Sequence, residues 1–456
     1  MNDLFPLPLT PFEQYLWTDD RPAYPMCSLL EMFFDGEMSR DAFEQALDET
    51  VLRHPFLTCV VDPSARPRPA WTPRPGLRPS VDWGRLGDPL ALPNGVPIDV
   101  TAESGMRFWI RCGDGRTEFT LQVHHVTADG IGMLRMVGDL LGAYSRLVGG
   151  NSAGPKLPSN DPAKLLRRGD VDFQPPEPIS RAQIWRATIR ETARWFLLRP
   201  TQLAAPHVAS KPINAVPASL PRLHALFVDR VETKQLLSVA RRHAVTLNDL
   251  LLRDMFLAIH DWNRRVNPSR PGRWLRINMP VDLRSRIHEA SPAANVLSYT
   301  FITRRIDDCR DRARLLEGIV SETRMIKRWN LGLHFLGGLT TGRKIPGLVR
   351  LCTSSPLCFA TAVQSFMGEL SRRFGVRFPN RDGCLVMGNL VLRRVAATPP
   401  IRPKTRVAFA VAVYNGELTV SGQYDSRFFD DNDGEQFLAV LAERLRQSAA
   451  EAATDA

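Results

Sequence analysis

The sequence predicts a mixed α/β (α+β) fold divided into two lobes. Three observations carry this. At 456 residues the chain exceeds one ordinary domain and fits two units of about 200 residues each. Strand-like and helix-like patterns are interleaved from end to end, with no short repeat. Hydrophobic residues make up 44% and charged residues 23%, which excludes a disordered chain and supplies a sizeable core.

The elements follow in order. Leu9-Thr10-Pro11 reads as a turn, Leu29 to Phe34 as an alternating strand, and Gly36 as a second turn. Ser39 has N-cap chemistry for a helix to Arg53, with Phe43, Ala46, Leu47 and Val51 at helical spacing. Nine prolines between Pro63 and Pro97 predict a rigid, loop-dominated excursion. Phe119, Leu121 and Val123 alternate with Thr120, Gln122 and His124, giving a strand with two unlike faces. A helix to about Leu147 follows, with Leu134, Val137, Leu141, Tyr144 and Val148 along one face. Gly149 to Pro178 is a polar connector, so the first lobe is placed at 1–178, a linking segment at 179–222 and the second lobe at 223–456. In that half, Thr246 and Asp249 form a capping box for a helix to Trp262. Arg276 to Val281 and Asn295 to Ile302 read as strands. Val407 to Tyr414, Asn415-Gly416 and Glu417 to Tyr424 spell a hairpin with a type I′ turn. A helix from about Asp433 to Arg446 closes the pattern.

Composition narrows the function. The net charge of +11 favours anionic partners such as phosphates, acidic proteins or membrane surfaces, and equally serves solubility. No zinc-finger spacing or RNA-binding aromatic signature supports nucleic acid. Seven scattered cysteines without a C-x-x-C pair predict reduced thiols, and no metal site is spelled out. The longest uncharged stretch, Leu351 to Gly368, is too polar to span a bilayer. The first residues lack signal-peptide character, so a cytoplasmic placement is expected.

One constellation carries chemistry. His124-His125-Val-Thr-Ala-Asp129-Gly130 falls at a strand-to-helix junction, where a side chain leaves a sheet to face a cleft. An imidazole with an ordinary pKa of about 6.5 accepts a proton from an alcohol or amine at neutral pH. Gly130 opens the helix, so its N–H is among the unpaired donors that suit an oxyanion. Asp129 either orients the imidazole or braces the loop through an arginine. The plainer alternative is a satisfied histidine pair beside an N-cap aspartate. Adjacent strand residues point to opposite faces, which disfavours a His124–His125 metal pair.

This run resembles the H-H-x-x-x-D-G signature of the chloramphenicol-acetyltransferase-like acyltransferases. That superfamily includes condensation domains of nonribosomal peptide synthetases, polyketide-associated acyltransferases, alcohol acetyltransferases and bacterial wax ester synthases. Leu9-Thr10-Pro11-Phe-Glu-Gln is similar to its opening motif, and Arg53-His54-Pro55-Phe56-Leu57 resembles the motif ending its first helix. Thr246-Leu-Asn248-Asp249 resembles the Asn-Asp motif of the wax ester synthases, and Pro280-Val281-Asp282-Leu283-Arg284 with Asn295 resembles the P-V-D-L-R … N block. The resemblance spans nearly the whole chain. It implies two similar lobes in a V with a central tunnel, and donor and acceptor entering from opposite faces. It makes His125 the base and gives Asp129 a structural place, paired with Arg284, for which a bidentate contact would fix the loop. His124 becomes a packed neighbour, and His54 is structural.

Some features depart from the family. The D-F-G-W-G motif of plant alcohol acyltransferases is absent. Met387-Gly388-Asn389 stands where many condensation domains have Ser-Asn-x-Gly, and Asn389 is a candidate for contacts to the tunnel or intermediate. Adenylation and carrier modules are absent, which reads as a stand-alone chain. Arg181 to Arg199 places Arg186, Arg190 and Arg194 opposite Ile184, Trp185, Ile189, Trp195 and Phe196. This basic amphipathic helix either meets an anionic membrane or packs on a lobe with its arginines in water. The expected activity is acyl transfer from a thioester to an alcohol, without a bound cofactor or metal. Acyl-CoA or an acyl-phosphopantetheine on an acidic carrier protein serves as co-substrate. The alternatives are a condensation-type amide former on a carrier-bound substrate, and a non-catalytic binding module of the same fold.

Overall fold

The computed structural model describes residues 4–149, 154–172, 180, 186, 189, 193–195, 197–269, 272–355 and 357–451. The first half runs β1 (Leu7–Pro8), α1 (Pro11–Asp19), β2 (Cys27–Asp35), α2 (Arg40–Arg53), β3 (Cys59–Asp62), β4 (Ala70–Pro73), β5 (Ser80–Arg85), β6 (Met106–Gly113), β7 (Arg116–His124) and α3 (Gly130–Gly149). The second begins with β8 (His224–Val228), α4 (Arg230–Arg242), α5 (Leu247–Val266), β9 (Trp274–Asp282), β10 (Leu297–Arg305), α6 (Arg312–Trp329), α7 (Gly332–Gly342) and α8 (Leu348–Thr353). It continues with β11 (Ala362–Glu369), β12 (Asn380–Arg381), β13 (Cys384–Met387), β14 (Leu390–Thr398), β15 (Val407–Tyr414), β16 (Glu417–Tyr424) and α9 (Asp431–Ala450).

Among the described residues the strands form two large sheets and one small one. The first lobe's sheet has the order β12-β13-β14-β2-β7-β6-β5, the second lobe's β10-β9-β11-β15-β16-β8, and the small sheet β1-β4-β3. The fold is therefore a mixed α/β, two-lobe one. Strands β12 to β14 lie late in the chain yet complete the first lobe's sheet, with β14 antiparallel to β2. Ser421 of β16 ties the sheets together: its hydroxyl accepts from the Ala397 N–H and donates to the Ala397 carbonyl.

Local chemistry explains most elements. Thr10 and Glu13 make a capping box for α1, as do Thr246 and Asp249 for α5. The Asn415-Gly416 turn between β15 and β16 has positive φ at both residues, 52° and 77°, as a type I′ turn demands. The proline-rich stretch departs from the expected loop: it contains β4 and β5. Only Pro73, the last residue of β4, lies inside either strand, and the other eight prolines fall outside them.

Helix α3 is buried well beyond the single face its periodicity indicates. The reason is close backbone approach on its far side. A Cβ on Gly138 would stand 2.0 Å from the Phe374 carbonyl oxygen, and one on Gly132 would stand 2.8 Å from that of Ala294. The second-half chain thus lies directly on the helix. All seven cysteines are free thiols. No helix of the described residues is long and apolar enough to cross a membrane.

Gly138→Ala is expected to lower stability by about 1–3 kcal/mol, because backbone must shift to admit the methyl group. Gly337→Ala in α7, where a Cβ meets nothing within 4 Å, is neutral or gains up to about 1 kcal/mol from helix propensity. Paired urea melts check both.

Candidate active site

The His124–Gly130 run leaves β7 and enters α3. The His125 N–H donates to the Met26 carbonyl at 2.7 Å, and Thr127 N–H to the His124 carbonyl at 2.8 Å, so the loop turns tightly at the sheet's end. Asp129 then caps the helix. Its carbonyl accepts from Met133 N–H and its Oδ1 from Gly132 N–H, each at 2.8 Å.

The carboxylate of Asp129 is also where the lobes meet. Arg284, just beyond β9, donates through Nη2 to Oδ1 at 2.9 Å, and Val296 N–H donates to Oδ2 at 2.8 Å. The arginine contact is single-donor, not the bidentate one expected. The same Nη2 reaches the Ala294 carbonyl at 3.0 Å, and Nη1 reaches Asp282 Oδ1 at 3.1 Å. Burial pushes the Asp129 carboxyl up, but the Arg284 charge and these donors outweigh it and hold its pKa below the usual range. Asn295 adds a clamp: its Nδ2 donates to the carbonyls of His125 and Val126 at 2.8 and 2.7 Å. Asp129 therefore braces the loop and makes no hydrogen bond to the imidazole.

His125 is buried, 6% exposed, and lines a small chamber of about 70 Å³ between the lobes. Gly130, Met133, Asn278, Tyr299 and Met367 are among its walls. Its Nδ1 has no hydrogen-bond partner among the described residues. Burial lowers its pKa against the opposing pull of Asp129, so the imidazole is neutral at pH 7. The Gly130 N–H likewise has no acceptor among the described residues. A neutral imidazole beside a free helix N-terminal donor can take a proton and meet a developing oxyanion.

The remaining sequence candidates lie elsewhere. His124 is fully buried on the opposite face, with Nδ1 accepting from Val126 N–H at 3.3 Å and Nε2 3.4 Å from Asp20 Oδ1. His54 bridges the lobes: Nε2 is 3.1 Å from Asp139 Oδ2, and Nδ1 accepts from Ala293 N–H at 2.9 Å. Asn389 does not line the chamber. It sits in the β13–β14 turn, accepting from Tyr144 Oη at 2.8 Å and donating to the Glu37 carbonyl at 2.7 Å, so the expected tunnel contact is not made. Most of the basic segment Arg181 to Arg199 lies outside the described residues. Where it is described, Arg194 pairs with Glu322 at 2.8 Å and Trp195 stacks on Phe359, so this part packs on the second lobe. Sequence reasoning missed Tyr15, Asn278, Tyr299 and Arg402 around the chamber, since they stand singly across nearly 400 positions.

No family model matches the chain. Over 384 residues it is 24% identical to the phthiocerol/phthiodiolone dimycocerosyl transferase of Mycobacterium leprae, covering 75% of this chain and 78% of that one. A 28% match over 255 residues reaches a probable non-canonical nonribosomal peptide synthetase, CymA, of Salinispora arenicola; it covers 53% of this chain and only 3% of that protein. Among solved structures, the first condensation domain of the CDA synthetase superposes with a TM-score of 0.67 at 15% identity, covering 98% and 96% of the two chains. The starter condensation domain of rhizomide synthetase, a point mutant in complex with C8-CoA, gives 0.64 at 13% identity over 98% and 95%. The H-H-x-x-x-D-G run thus stands on the two-lobe fold seen in condensation domains, and the chain is similar to acyltransferases and condensation domains that share this fold.

Arg284→Ala leaves Asp129 buried without its cation and is expected to cost about 3–5 kcal/mol at pH 7. In the wild type the Asp129 pKa is depressed, so its stabilisation is complete above the unfolded value of about 3.9 and is lost as pH falls through the folded one. In the variant the uncompensated burial raises that pKa, so the penalty shrinks on acidification. Urea unfolding of both proteins at pH 7 and 4.5 reads this difference.

Proposed function

We propose that the chain moves an acyl group from acyl-coenzyme A to the hydroxyl of an alcohol, with His125 as general base. The observation that carries this is His125 itself, buried and lining the chamber, with its Nδ1 unpartnered among the described residues. The imidazole takes the acceptor's proton as its oxygen attacks the thioester carbonyl. The tetrahedral oxyanion has the Gly130 N–H for support. As the carbon–sulfur bond breaks, the leaving thiolate takes the proton from the imidazolium, so the enzyme returns unchanged. Asp129, Arg284 and His124 act as positioning residues for the loop.

The named transferase among the relatives and the neighbour bound to C8-CoA support acyl transfer from a coenzyme A donor. The net charge of +11 suits a diphosphate-bearing donor. In this reading the lobes are 1–178 and 223–456, joined by 179–222 and completed by the crossing of β12 to β14, and the protein is cytoplasmic. Exposed Ile189 and Leu197 within the basic segment support a peripheral membrane contact. A second reading, amide formation on a substrate held by an acidic carrier protein, is favoured by the condensation-domain neighbours.

His125→Ala is expected to lower kcat/KM for coenzyme A release by about 10²–10⁴ with folding unchanged. Because burial lowers the His125 pKa, the wild-type rate rises with pH to a midpoint below about 6.5 and is flat at pH 7–8. Mass spectrometry of products from mixed alcohols and amines names the acceptor. Turnover only with carrier-loaded thioesters would replace the coenzyme A reading with the second.

A further inference from the structure

Between Thr323 and Gly368 the chain has no aspartate or glutamate, yet it has Arg324, Lys327, Arg328, Arg343, Lys344 and Arg350. This stretch ends α6 and builds α7, α8 and the turn between them. On the inner side, Leu339 of α7 and Leu348, Val349 and Cys352 of α8 wall a cavity of about 370 Å³. That cavity adjoins the His125 chamber and shares Tyr15 and Tyr299 with it. The outer side is apolar too: Ile345, in the turn, is 54% exposed, and Leu351, on α8, is 71% exposed. A helix with apolar residues on both sides normally lies inside a protein, and the described residues cover α8 on only one.

The charges point to what covers the other. Lys344 and Arg350 are exposed and have no acidic partner among the described residues. Arg343, at the C-terminus of α7, is partly buried, and its Nη1 has no hydrogen-bond partner among the described residues. Burial lowers the pKa of its guanidinium, and the charge of Arg68, from the excursion between β3 and β4, lowers it further. Two cations thus stand close together, one of them partly out of water, with no anion to meet them. Helix α1, which packs against α7 and α8, offers none: its Glu13 pairs with Arg168 and its Asp19 with Arg402.

We propose that the α7–α8 face docks on an anionic lipid bilayer, with Ile345 and Leu351 entering the headgroup boundary and Arg68, Arg343, Lys344 and Arg350 meeting lipid phosphates. Bases interleaved with single aliphatic side chains, without an acid, suit a phosphate-coated surface. A protein partner is normally held by aromatic anchors, and no aromatic side chain is among the exposed large apolar ones of the described residues. The inference rests on the peripheral membrane contact proposed above and places it on α7 and α8, outside the basic segment. It is independent of the acyl-transfer chemistry.

Co-sedimentation of the full chain with vesicles tests this. Partitioning onto phosphatidylcholine vesicles that hold about one-third phosphatidylglycerol is expected to exceed that onto phosphatidylcholine alone by about tenfold or more, and to weaken as salt rises. Ile345→Ser with Leu351→Ser lowers it about tenfold. Lys344→Gln with Arg350→Gln lowers it about thirtyfold, near fivefold for each base. All four residues are exposed, so both double variants are expected to keep the wild-type circular dichroism and thermal midpoint.

Vesicle binding that either double variant retains in full would overturn this placement and leave the contact to the basic segment. A wild-type protein that stays in solution with both kinds of vesicle would overturn the membrane contact altogether. Equal binding to the two kinds would overturn the phosphate contacts and the proposal with them. A dimer of the free protein abolished by Ile345→Ser with Leu351→Ser would assign the face to a second copy instead. His125→Ala is expected to bind vesicles as the wild type does, so failure of the acyl-transfer reading would leave this result unmoved.

Discussion

Asp129 is a carboxylate removed from water at the meeting of two lobes, and the site is organised around satisfying it. An isolated buried charge costs several kcal/mol, so the donors must be present whenever the fold is. They come from three places: the first turn of α3, the Arg284 guanidinium and the backbone of Val296. The first belongs to one lobe and the others to its partner. The loop that presents His125 can therefore take its shape only when the lobes are docked. Arg284 is held in turn by Asp282 and the Ala294 carbonyl, so the cation is aimed before the anion meets it.

The same polar logic extends along the junction. His54 receives the Ala293 N–H while facing Asp139 of α3, and Asn295 holds two carbonyls of the His125 loop. Glycines 132 and 138 let backbone lie directly against α3, where any side chain would intrude. These contacts are short and directional, and most of them reach main-chain atoms. They fix one relative placement of the lobes, whereas a purely apolar junction would tolerate sliding. In the proposed mechanism that precision matters, because a general base must stand within hydrogen-bond reach of the proton it takes.

What the sequence made legible was local. The capping box of α5, the Asn415-Gly416 turn and the β7–α3 junction each depend on residues a few positions apart, and all three stand where the pattern put them. The H-H-x-x-x-D-G run likewise carried its own geometry, and the P-V-D-L-R block supplied the arginine near Asp129. Long-range features were not legible. Nine prolines hid β4 and β5, because their strand character comes from neighbours supplied elsewhere in the chain. Asn389 was misplaced, since Met387-Gly388-Asn389 turns out to be a hairpin turn anchored by Tyr144 and Glu37. Asn295 was visible as part of a motif, but its clamp on the His125 carbonyl was not. The cavities were invisible, for their walls join Tyr15 to Arg402 through packing alone.

Dryness links His125 to its surroundings. His125 owes its neutral form first to burial, and Asp129, though close enough to pull the other way, is spent on Arg284 and backbone donors. An aspartate free to bond the imidazole would raise its pKa and favour the charged form, which cannot accept a proton. Committing Asp129 to the loop thus serves the histidine twice: it fixes the ring's position and keeps an anion from stabilising the wrong protonation state. The apolar walls beyond Tyr15 and Tyr299 act in the same direction, because they offer water few partners beside the imidazole. In the proposed reaction, the reacting groups then meet where an oxyanion has few competitors for the helix donor at Gly130.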